Sequence, residues 1–198
     1  MEINGFQFFP GALTQAAQAE LVETVLMAAR VAPFYRPKTP GGRSMSVEQT
    51  SLGRLGWVTD AAGYRYESTH PVTNRPWPDM PAAVAALWTR FSRQAVLADA
   101  CLVNLYRPGA RMGLHQDADE ADFQFPVVSV SLGDTAAFRL GGHARGDPTR
   151  GLRLASGDIC VLGGEARRWF HGVDRILAGS SQLVPGGGRI NLTLRRAR

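Results

Sequence analysis

Residues 189–195 read Arg-Ile-Asn-Leu-Thr-Leu-Arg, and this stretch alternates strictly between polar and apolar side chains. Alternation with a period of two is typical of a β-strand whose two faces meet different surroundings. The polar face would carry Arg189, Asn191, Thr193 and Arg195. A strand that presents two arginines on one face is normally a solvated edge, so the neighbouring strands decide what this face does.

The chain from residue 100 onward repeats this β pattern. Turn signals such as Pro108-Gly109 and Ser156-Gly157-Asp158 separate short apolar stretches, which lie at 101–105, 127–132, 152–154, 159–162 and 190–194. Several short strands with regular turns favour a sandwich or a jelly roll. We therefore predict an α+β chain with a mainly β core over 100–198, within a single domain that spans 1–198.

Two helices are expected outside this core. Residues 13–30 place apolar side chains at helical spacing, and Pro33 follows as a stop signal. Residues 81–97 begin with a proline that suits a first helical turn. Their apolar stripe includes Trp88 and Phe91, which we assign to core packing.

Residues 34–78 have another character, because prolines and glycines alternate there with tyrosines and tryptophans. This composition predicts short strands joined by long loops. Loops on a rigid scaffold often carry recognition, so we expect an accessory layer beside the core.

Composition narrows the class of protein. The 198 residues carry a net charge of +5, with 44% hydrophobic and 20% charged residues, which is ordinary for a globular chain. The positive charge favours anionic partners such as nucleic acid, although charge alone is a weak signal. We see no secretory signal and no membrane-length apolar run, and Cys101 and Cys160 lie in separate apolar segments. We therefore expect a cytoplasmic monomer with reduced thiols and no membrane contact.

Four histidines are present, and His115 opens the triplet His-Gln-Asp that ends at Asp117. Positions i and i+2 of a strand share a face, so both side chains can reach one ion. His171 could complete the set from a neighbouring strand, which gives the facial triad of non-haem Fe(II) oxygenases. Such a pair also arises by chance, so these residues alone leave metal binding open. His70 and His143 lie in loop-like contexts and are expected at the surface.

The polar face of 189–195 has a counterpart in Cys-Leu-Val-Asn-Leu-Tyr at 101–106, where Asn104 and Tyr106 share a face. Two guanidinium groups, two amides and a phenol are suited to a small dicarboxylate, because the planar fork of an arginine grips a carboxylate. A dicarboxylate site beside a facial triad suggests 2-oxoglutarate as co-substrate.

With these residues in place, the sequence resembles the AlkB family of nucleic-acid demethylases. The matching motifs of the β region are Asn104-Leu-Tyr106-Arg-Pro-Gly109, Leu114-His-Gln-Asp117-Ala-Asp119-Glu120, Pro126-Val-Val-Ser-Val-Ser-Leu-Gly133, His171-Gly172 and 189–195. Upstream matches are Thr39-Pro-Gly-Gly42, Leu55-Gly-Trp57, Gly63-Tyr64 and Asn74-Arg-Pro-Trp-Pro78. The motifs follow in order over nearly the whole chain.

The resemblance implies a double-stranded β-helix, or jelly roll, with two outer helices and an N-terminal nucleotide-recognition lid at 34–78. It implies Fe(II) bound by His115, Asp117 and His171, with 2-oxoglutarate and O2 as co-substrates. It places Arg189, Asn191 and Tyr106 on the distal carboxylate of 2-oxoglutarate. Asn104 and Arg195 would contact the end nearest the iron.

The implied activity is removal of methyl groups from bases such as N1-methyladenine and N3-methylcytosine in single-stranded DNA or RNA. In the family, the ring at the position of Trp57 and the first iron-binding histidine stack on the flipped base. The carboxylate at Asp119 faces the exocyclic amine or the cationic ring. Thr39 and Tyr64 correspond to positions that touch the backbone phosphate, and Arg145 matches an arginine near the substrate strand.

Departures from the family pattern bear on substrate range rather than on the iron chemistry. The segment between residues 178 and 189 is rich in glycine and serine and matches poorly, and the link from residue 91 to residue 100 is short. Gln49 stands where an apolar pocket residue is expected, and Arg43 stands where an aromatic residue is expected.

Three rival functions stay open from the residues. The first is a dioxygenase of the same chemistry that acts on a small molecule or a protein side chain. The second is a non-catalytic module that binds single-stranded nucleic acid through Trp57 and Tyr64. The third is a zinc hydrolase with the same three ligands, which would leave the dicarboxylate-binding face without a purpose.

Overall fold

The computed structural model describes residues 1–198, and strands form most of the ordered structure. The larger sheet has seven antiparallel strands in the spatial order β1 (Glu2–Ile3), β2 (Phe6–Phe9), β11 (Ile159–Leu162), β8 (Val127–Gly133), β13 (Arg189–Arg195), β6 (Ala100–Tyr106) and β3 (Glu48–Gly53). The smaller sheet has the order β10 (Arg150–Leu154), β9 (Thr135–Leu140), β12 (His171–Leu177) and β7 (Met112–His115). A separate hairpin pairs β4 (Gly56–Asp60) with β5 (Gly63–Glu67).

Two apolar clusters organise these layers. One lies between the outer face of the larger sheet and two helices, α1 (Gln15–Ala28) and α2 (Ala82–Ser92), and it includes Trp88 and Phe91 as predicted. The other joins the inner face of the larger sheet to the smaller sheet, for example through Tyr106, Phe138 and Val173. The predicted jelly roll with two outer helices is therefore confirmed.

Strand β13 lies in the middle of the larger sheet, between β8 and β6. Its apolar residues Ile190, Leu192 and Leu194 face the helices, which leaves its polar residues on the inner face of the sandwich. All seven residues of the strand are buried. Burying a polar face costs free energy unless its groups form hydrogen bonds or ion pairs. The inside of the sandwich must therefore supply partners for these side chains or bind a polar ligand there.

Both helices are shorter than the sequence predicts. Helix α1 begins after Thr14, whose side chain accepts a hydrogen bond from the amide of Ala17, and it ends before Pro33 is reached. Helix α2 follows Pro81 and ends at Ser92, because Arg93 takes a left-handed conformation with a φ of 56°. The predicted extension to residue 97 is wrong, since a left-handed residue commonly terminates a helix.

The segment 34–78 divides between two layers. Its strand β3 pairs along β6 and forms the edge of the larger sheet, whereas β4 and β5 form the separate hairpin. Within this hairpin, Trp57 lies directly across from Tyr66 and therefore shares its face. Tyr66 packs against Ala100 and Ala197, which ties the hairpin to the end of the larger sheet.

The expectation of a surface position for His70 is wrong, because this residue is fully buried. Its Nε2 lies 2.8 Å from the carbonyl oxygen of Pro33, and its Nδ1 accepts from the amides of Val72 and Thr73. With all its polar atoms paired inside a tight turn, the ring can be buried at little cost. His143 is exposed, as predicted.

The two cysteines are buried and unpaired, as the sequence predicts. Burial raises the pKa of each thiol to about 12. Neither helix combines the length and the hydropathy that crossing a membrane requires.

Candidate active site

Three side chains that are distant in the chain converge at one end of the sandwich. His115 ends β7 and His171 begins β12, and the antiparallel register places them directly opposite each other. Asp117 lies in the loop after β7, so the expectation that it shares a strand with His115 is wrong. The ligand atoms of all three nonetheless lie within 4.8 Å of one another.

Both imidazoles expose the same nitrogen to this centre. The Nδ1 of His115 lies 2.9 Å from the carbonyl oxygen of Gly113, and that of His171 lies 3.0 Å from the carbonyl oxygen of Trp169. Each Nδ1 therefore carries the proton, and each Nε2 offers a lone pair 3.8 Å from the carboxylate of Asp117. Backbone bonds of this kind orient histidine ligands.

Electrostatics hold the pKa values of His171 and Asp117 below their usual ranges, which keeps both groups ready to bind a metal. Burial and, to a lesser extent, the neighbouring ring of His115 lower the pKa of His171 to about 4. Burial alone would raise the pKa of Asp117, but Arg195 and the two histidines hold it well below its usual range. The neutral imidazole of His171, the ionised carboxylate of Asp117 and the Nε2 of His115 fit a divalent cation that prefers nitrogen and oxygen ligands, such as Fe(II).

Arg189 lies on the same inner face of β13 as Arg195, at the other end of the strand, and has a single partner within the protein. Its side chain is 1% exposed, and its only hydrogen bond runs from Nη2 to Oγ of Ser131, at 3.1 Å. Nε and Nη1 have no partner within the protein, and burial lowers the pKa of the guanidinium group. A buried cation with two free donors is costly on its own, so it fits an anionic group such as a carboxylate.

The register places the other polar side chains of this inner face beside Arg189. Tyr106 lies opposite Arg189, and Asn104 lies opposite Asn191. The amide of Asn191 donates to Ser129 Oγ and to the carbonyl oxygen of Val130, both at 2.9 Å. The sequence prediction that β6 and β13 share one polar face is therefore correct.

Gln49 joins the same face from β3. It lies opposite Asn104, is 1% exposed and donates from Nε2 to Oδ1 of Asn104 at 2.8 Å. Sequence reasoning noted only that this residue departs from an apolar expectation. A buried amide in contact with a second amide is a polar extension of the inner face.

A buried network of charges links Asp117 to the hairpin. Arg195 Nη2 lies 2.8 Å from Asp117 Oδ1, and its Nη1 donates to the hydroxyl of Tyr66 at 3.0 Å. The hydroxyl of Tyr66 donates in turn to Glu120 at 2.5 Å. Arg167 completes the network through Glu120 Oε2, at 2.9 Å, and through the carbonyl oxygen of Asp117, at 2.7 Å.

Sequence reasoning assigns no role to Tyr66, Glu120 or Arg167. Glu120 lies inside the motif that carries Asp117, and Arg167 lies in a short 3-10 turn at Gly164–Arg168. Their pairing requires contact between segments more than forty positions apart, which no local pattern shows. The one sequence feature that could have indicated this network is the cluster of acidic residues around Asp117, because buried carboxylates need cationic partners.

The hairpin presents aromatic rings beside the ligand loop. Trp57 stacks on Tyr64 with ring centroids 5.5 Å apart, and Tyr64 is 51% exposed. Trp57 Nε1 donates to Asp119 Oδ2 at 2.7 Å. Because Asp119 is two positions from Asp117, this bond fixes an aromatic ring and a carboxylate next to the metal-binding loop.

The two remaining predicted substrate residues lie apart from this cluster. Thr39 is half-buried in the turn before Gly42, where its amide donates to the carbonyl oxygen of Arg43. Arg145 is exposed, packs over the ring of Phe170 and donates to the carbonyl oxygen of Leu114 at 2.6 Å. Leu114 precedes His115, so this bond places Arg145 close to the strand that carries the first predicted metal ligand.

Comparison with known proteins places this site in a family. A model of the 2OG-Fe(II) oxygenase superfamily matches residues 5–195. An alpha-ketoglutarate-dependent dioxygenase AlkB homolog of Caulobacter vibrioides is 64% identical over 196 residues, which is 99% of this chain and 89% of that protein. The chain belongs to the AlkB family of Fe(II)- and 2-oxoglutarate-dependent dioxygenases.

Other AlkB-family proteins extend the comparison. The AlkB dioxygenase of Escherichia coli K12 is 44% identical, over 91% of this chain and 85% of its own. The Arabidopsis thaliana protein named DNA N(6)-methyladenine demethylase ALKBH1C is 33% identical, over 82% of this chain and 42% of its own. The solved structure of OsALKBH1 superposes with a TM-score of 0.84 at 29% identity and covers 99% of this chain and 98% of that one. This AlkB-family enzyme therefore uses Fe(II), 2-oxoglutarate and O2.

Proposed function

We propose that this dioxygenase removes alkyl groups from the nitrogens of damaged bases in single-stranded DNA or RNA, as a direct reversal of alkylation damage. The hydrogen bond between Trp57 and Asp119 supports this most directly, because it holds a flat ring and a negative charge beside the ligand loop. A methylated base such as N1-methyladenine or N3-methylcytosine is both flat and cationic. Relatives that are named nucleic-acid demethylases point to the same class of substrate.

The proposed base-binding surface consists of Trp57 and the ring of His115, whose side chain is 39% exposed. Stacking on an aromatic side chain contributes about 1–3 kcal/mol per base. Asp119 would favour the cationic ring over a neutral one. Methylation that blocks pairing also lowers the cost of flipping the base out of its strand.

Contacts to the nucleic-acid backbone are proposed for Tyr64, Thr39 and Arg145. The exposed ring and hydroxyl of Tyr64 lie on the hairpin beside Trp57. Arg145 is exposed and donates to the carbonyl oxygen of Leu114, next to His115. The net charge of +5 favours attraction of a phosphate backbone in addition to these contacts.

For 2-oxoglutarate, we propose that Arg189, Asn191 and Tyr106 bind the distal carboxylate. The two unpartnered guanidinium nitrogens of Arg189 support this role. Asn104 and Arg195 would contact the end nearest the iron, since Arg195 already touches the ligand Asp117. When bound, the iron couples decarboxylation of 2-oxoglutarate to hydroxylation of the N-methyl carbon, after which formaldehyde leaves the base.

Residues 34–78 are proposed as the nucleotide-recognition lid of a domain that spans 1–198, with 100–198 as its jelly-roll core. The hairpin β4–β5 would supply the recognition surface, and β3 would attach the lid to the core. We propose a monomer, because one chain provides all three ligands and both arginines. A reducing cytoplasm suits the two unpaired cysteines.

The test is an anaerobic mixture of protein, Fe(II), 2-oxoglutarate and an oligonucleotide with N1-methyladenine, to which air is then admitted. We expect stoichiometric formaldehyde, succinate and loss of the methyl group from the oligonucleotide. Succinate formation stimulated by amino acids or small metabolites, and not by the oligonucleotide, would instead support the small-molecule dioxygenase.

The same assay separates the other two rivals. A non-catalytic module predicts that His171→Ala retains every measurable function. A zinc hydrolase predicts activity with Zn(II) and without O2. The unpartnered nitrogens of Arg189 disfavour the hydrolase, because such an enzyme has no use for a second anion site.

A further inference from the structure

Gln49 is the least expected residue of the inner sheet face. It lies on the edge strand β3, yet its side chain is 1% exposed and carries two polar atoms into the interior. Nε2 is committed to Asn104 Oδ1 at 2.8 Å, while Oε1 has no partner. A buried acceptor without a partner is a cost that an apolar side chain at this position would avoid.

The hydrogen bond from Gln49 determines how the amide of Asn104 is oriented. With Oδ1 of Asn104 occupied by Gln49, its Nδ2 donates to no protein atom and is available to the site. If the amide of Asn104 were flipped, its Oδ1, which carries a partial negative charge, would face the carboxylate of 2-oxoglutarate nearest the iron. The register supports this relation, because Gln49, Asn104 and Asn191 form one row across three adjacent strands.

We infer that Gln49 is a positioning residue for the co-substrate: it holds the amide of Asn104 so that Nδ2 donates to 2-oxoglutarate. This inference rests on the proposed placement of 2-oxoglutarate beside Asn104. It assigns to Gln49 an effect on co-substrate affinity, and it assigns none on recognition of the methylated base.

Two substitutions disturb the orientation of Asn104 to different degrees. Gln49→Met keeps the length of the side chain and removes the hydrogen bond, which frees Asn104 to rotate. Gln49→Glu keeps the shape but offers only acceptors when ionised, so Asn104 would turn its Nδ2 toward residue 49 and its Oδ1 toward the co-substrate. Ser51→Ala is the matched control, because Ser51 lies on the same face of β3, is buried, and has an unpartnered hydroxyl opposite Leu102.

The experiment measures binding of 2-oxoglutarate to the Fe(II)-loaded protein under anaerobic conditions by calorimetry, together with steady-state KM values for 2-oxoglutarate and for the oligonucleotide. For Gln49→Met we expect a Kd for 2-oxoglutarate that is weaker by about five- to tenfold, the usual effect of one hydrogen bond. Gln49→Glu should weaken it more, and Ser51→Ala should leave it unchanged. Combining Gln49→Met with Asn104→Ala should add little to the loss caused by Asn104→Ala alone.

Different failures have different meanings. An unchanged Kd in Asn104→Ala would overturn the placement of 2-oxoglutarate and the inference with it. A weakened Kd in Asn104→Ala with an unchanged Kd in Gln49→Met would overturn the inference alone. A change confined to the KM of the methylated oligonucleotide would also overturn it and would make Gln49 part of the base pocket.

Discussion

Nη2 of Arg195 lies 2.8 Å from Oδ1 of Asp117, and both side chains are 7% exposed. This one contact joins β13, which carries the two arginines proposed to bind 2-oxoglutarate, to the loop that carries Asp117. Arg195 also touches Tyr66 and Glu120, so the same guanidinium group connects the metal centre to the hairpin. The attachment of the hairpin and the orientation of the carboxylate are therefore coupled through one side chain.

Replacement of Arg195 by Met should damage both folding and metal binding. Loss of one partner from a buried ion pair costs about 3–5 kcal/mol, because the remaining charge is left without compensation. We expect a loss of unfolding free energy of this order, measured by urea denaturation. Affinity for Fe(II) should fall by about 10–100-fold, as it does when other groups behind a ligand are lost.

The neighbouring Arg196 provides the control. It contacts Asp99 at 3.4 Å with 29% of its side chain exposed, and such pairs contribute about 0–1 kcal/mol. Equal effects of Arg195→Met and Arg196→Met would contradict the coupling.

Arg189→Met should separate stability from co-substrate binding. Without 2-oxoglutarate, the variant should be at least as stable as the parent, because it loses a buried cation with two unpartnered nitrogens. Affinity for 2-oxoglutarate should fall by about 100-fold, since hydrogen bonds to a charged group contribute about 1.5–3 kcal/mol. Thermal denaturation with and without 2-oxoglutarate measures both effects. A variant that is strongly destabilised in the absence of 2-oxoglutarate would show that Arg189 is a structural residue.

Much of this site could be predicted from local patterns. Alternation over 189–195 predicted the strand, and the spacing of Asn104 and Tyr106 predicted the matching face of its neighbour. The structure confirms both, because side-chain direction in a strand follows directly from position. The contact between His115 and His171 was also predicted, because a histidine on a neighbouring strand can reach the same ion. The structure places the two residues opposite each other on paired strands.

The parts that were not predicted depend on contacts between distant segments. His70 resembles a loop residue in sequence, and only the fold shows that Tyr35 and Trp77 enclose it. The strands β7 and β12 lack a clear alternating pattern over their short lengths, and β12 contains a bulge. The burial of Gln49 likewise depends on β3 joining the larger sheet, which the composition of 34–78 does not indicate.

Asp119→Asn should reduce discrimination between lesions while keeping the hydrogen bond that holds the ring of Trp57. The amide oxygen can still accept from Trp57 Nε1, which now lies 2.7 Å from the carboxylate, but the negative charge is gone. We expect the preference for cationic N1-methyladenine over neutral N1-methylguanine, measured as a ratio of kcat/KM, to fall by about tenfold, or about 1.4 kcal/mol. Asp122→Asn, in the same loop, is the control, since that carboxylate accepts from the amide of Gln124. An unchanged ratio in Asp119→Asn would show that the negative charge of Asp119 does not contribute to recognition of the cationic base.

Acid should destabilise the metal-free protein through His171. Burial lowers the pKa of this residue from 6.5 to about 4, so between these values the unfolded chain binds a proton that the folded protein does not. Stability should therefore decrease as the pH falls from about 6.5 to about 4, with an upper limit of roughly 3 kcal/mol from this group. Urea denaturation in the presence of a chelator should give a flatter profile for His171→Gln than for the parent. Parallel profiles would contradict the assigned pKa.

The central claim is that His115, Asp117 and His171 bind Fe(II) in the same site in which Arg189 binds 2-oxoglutarate. Anaerobic calorimetry of 2-oxoglutarate binding, with and without Fe(II), tests it most directly. Tight binding should require the metal in the parent protein, should be lost in His171→Ala and should be about 100-fold weaker in Arg189→Met. The exposed His143, replaced by Ala, should leave binding intact. Binding of equal strength in His171→Ala, or binding that ignores the metal, would contradict a shared site for Fe(II) and 2-oxoglutarate.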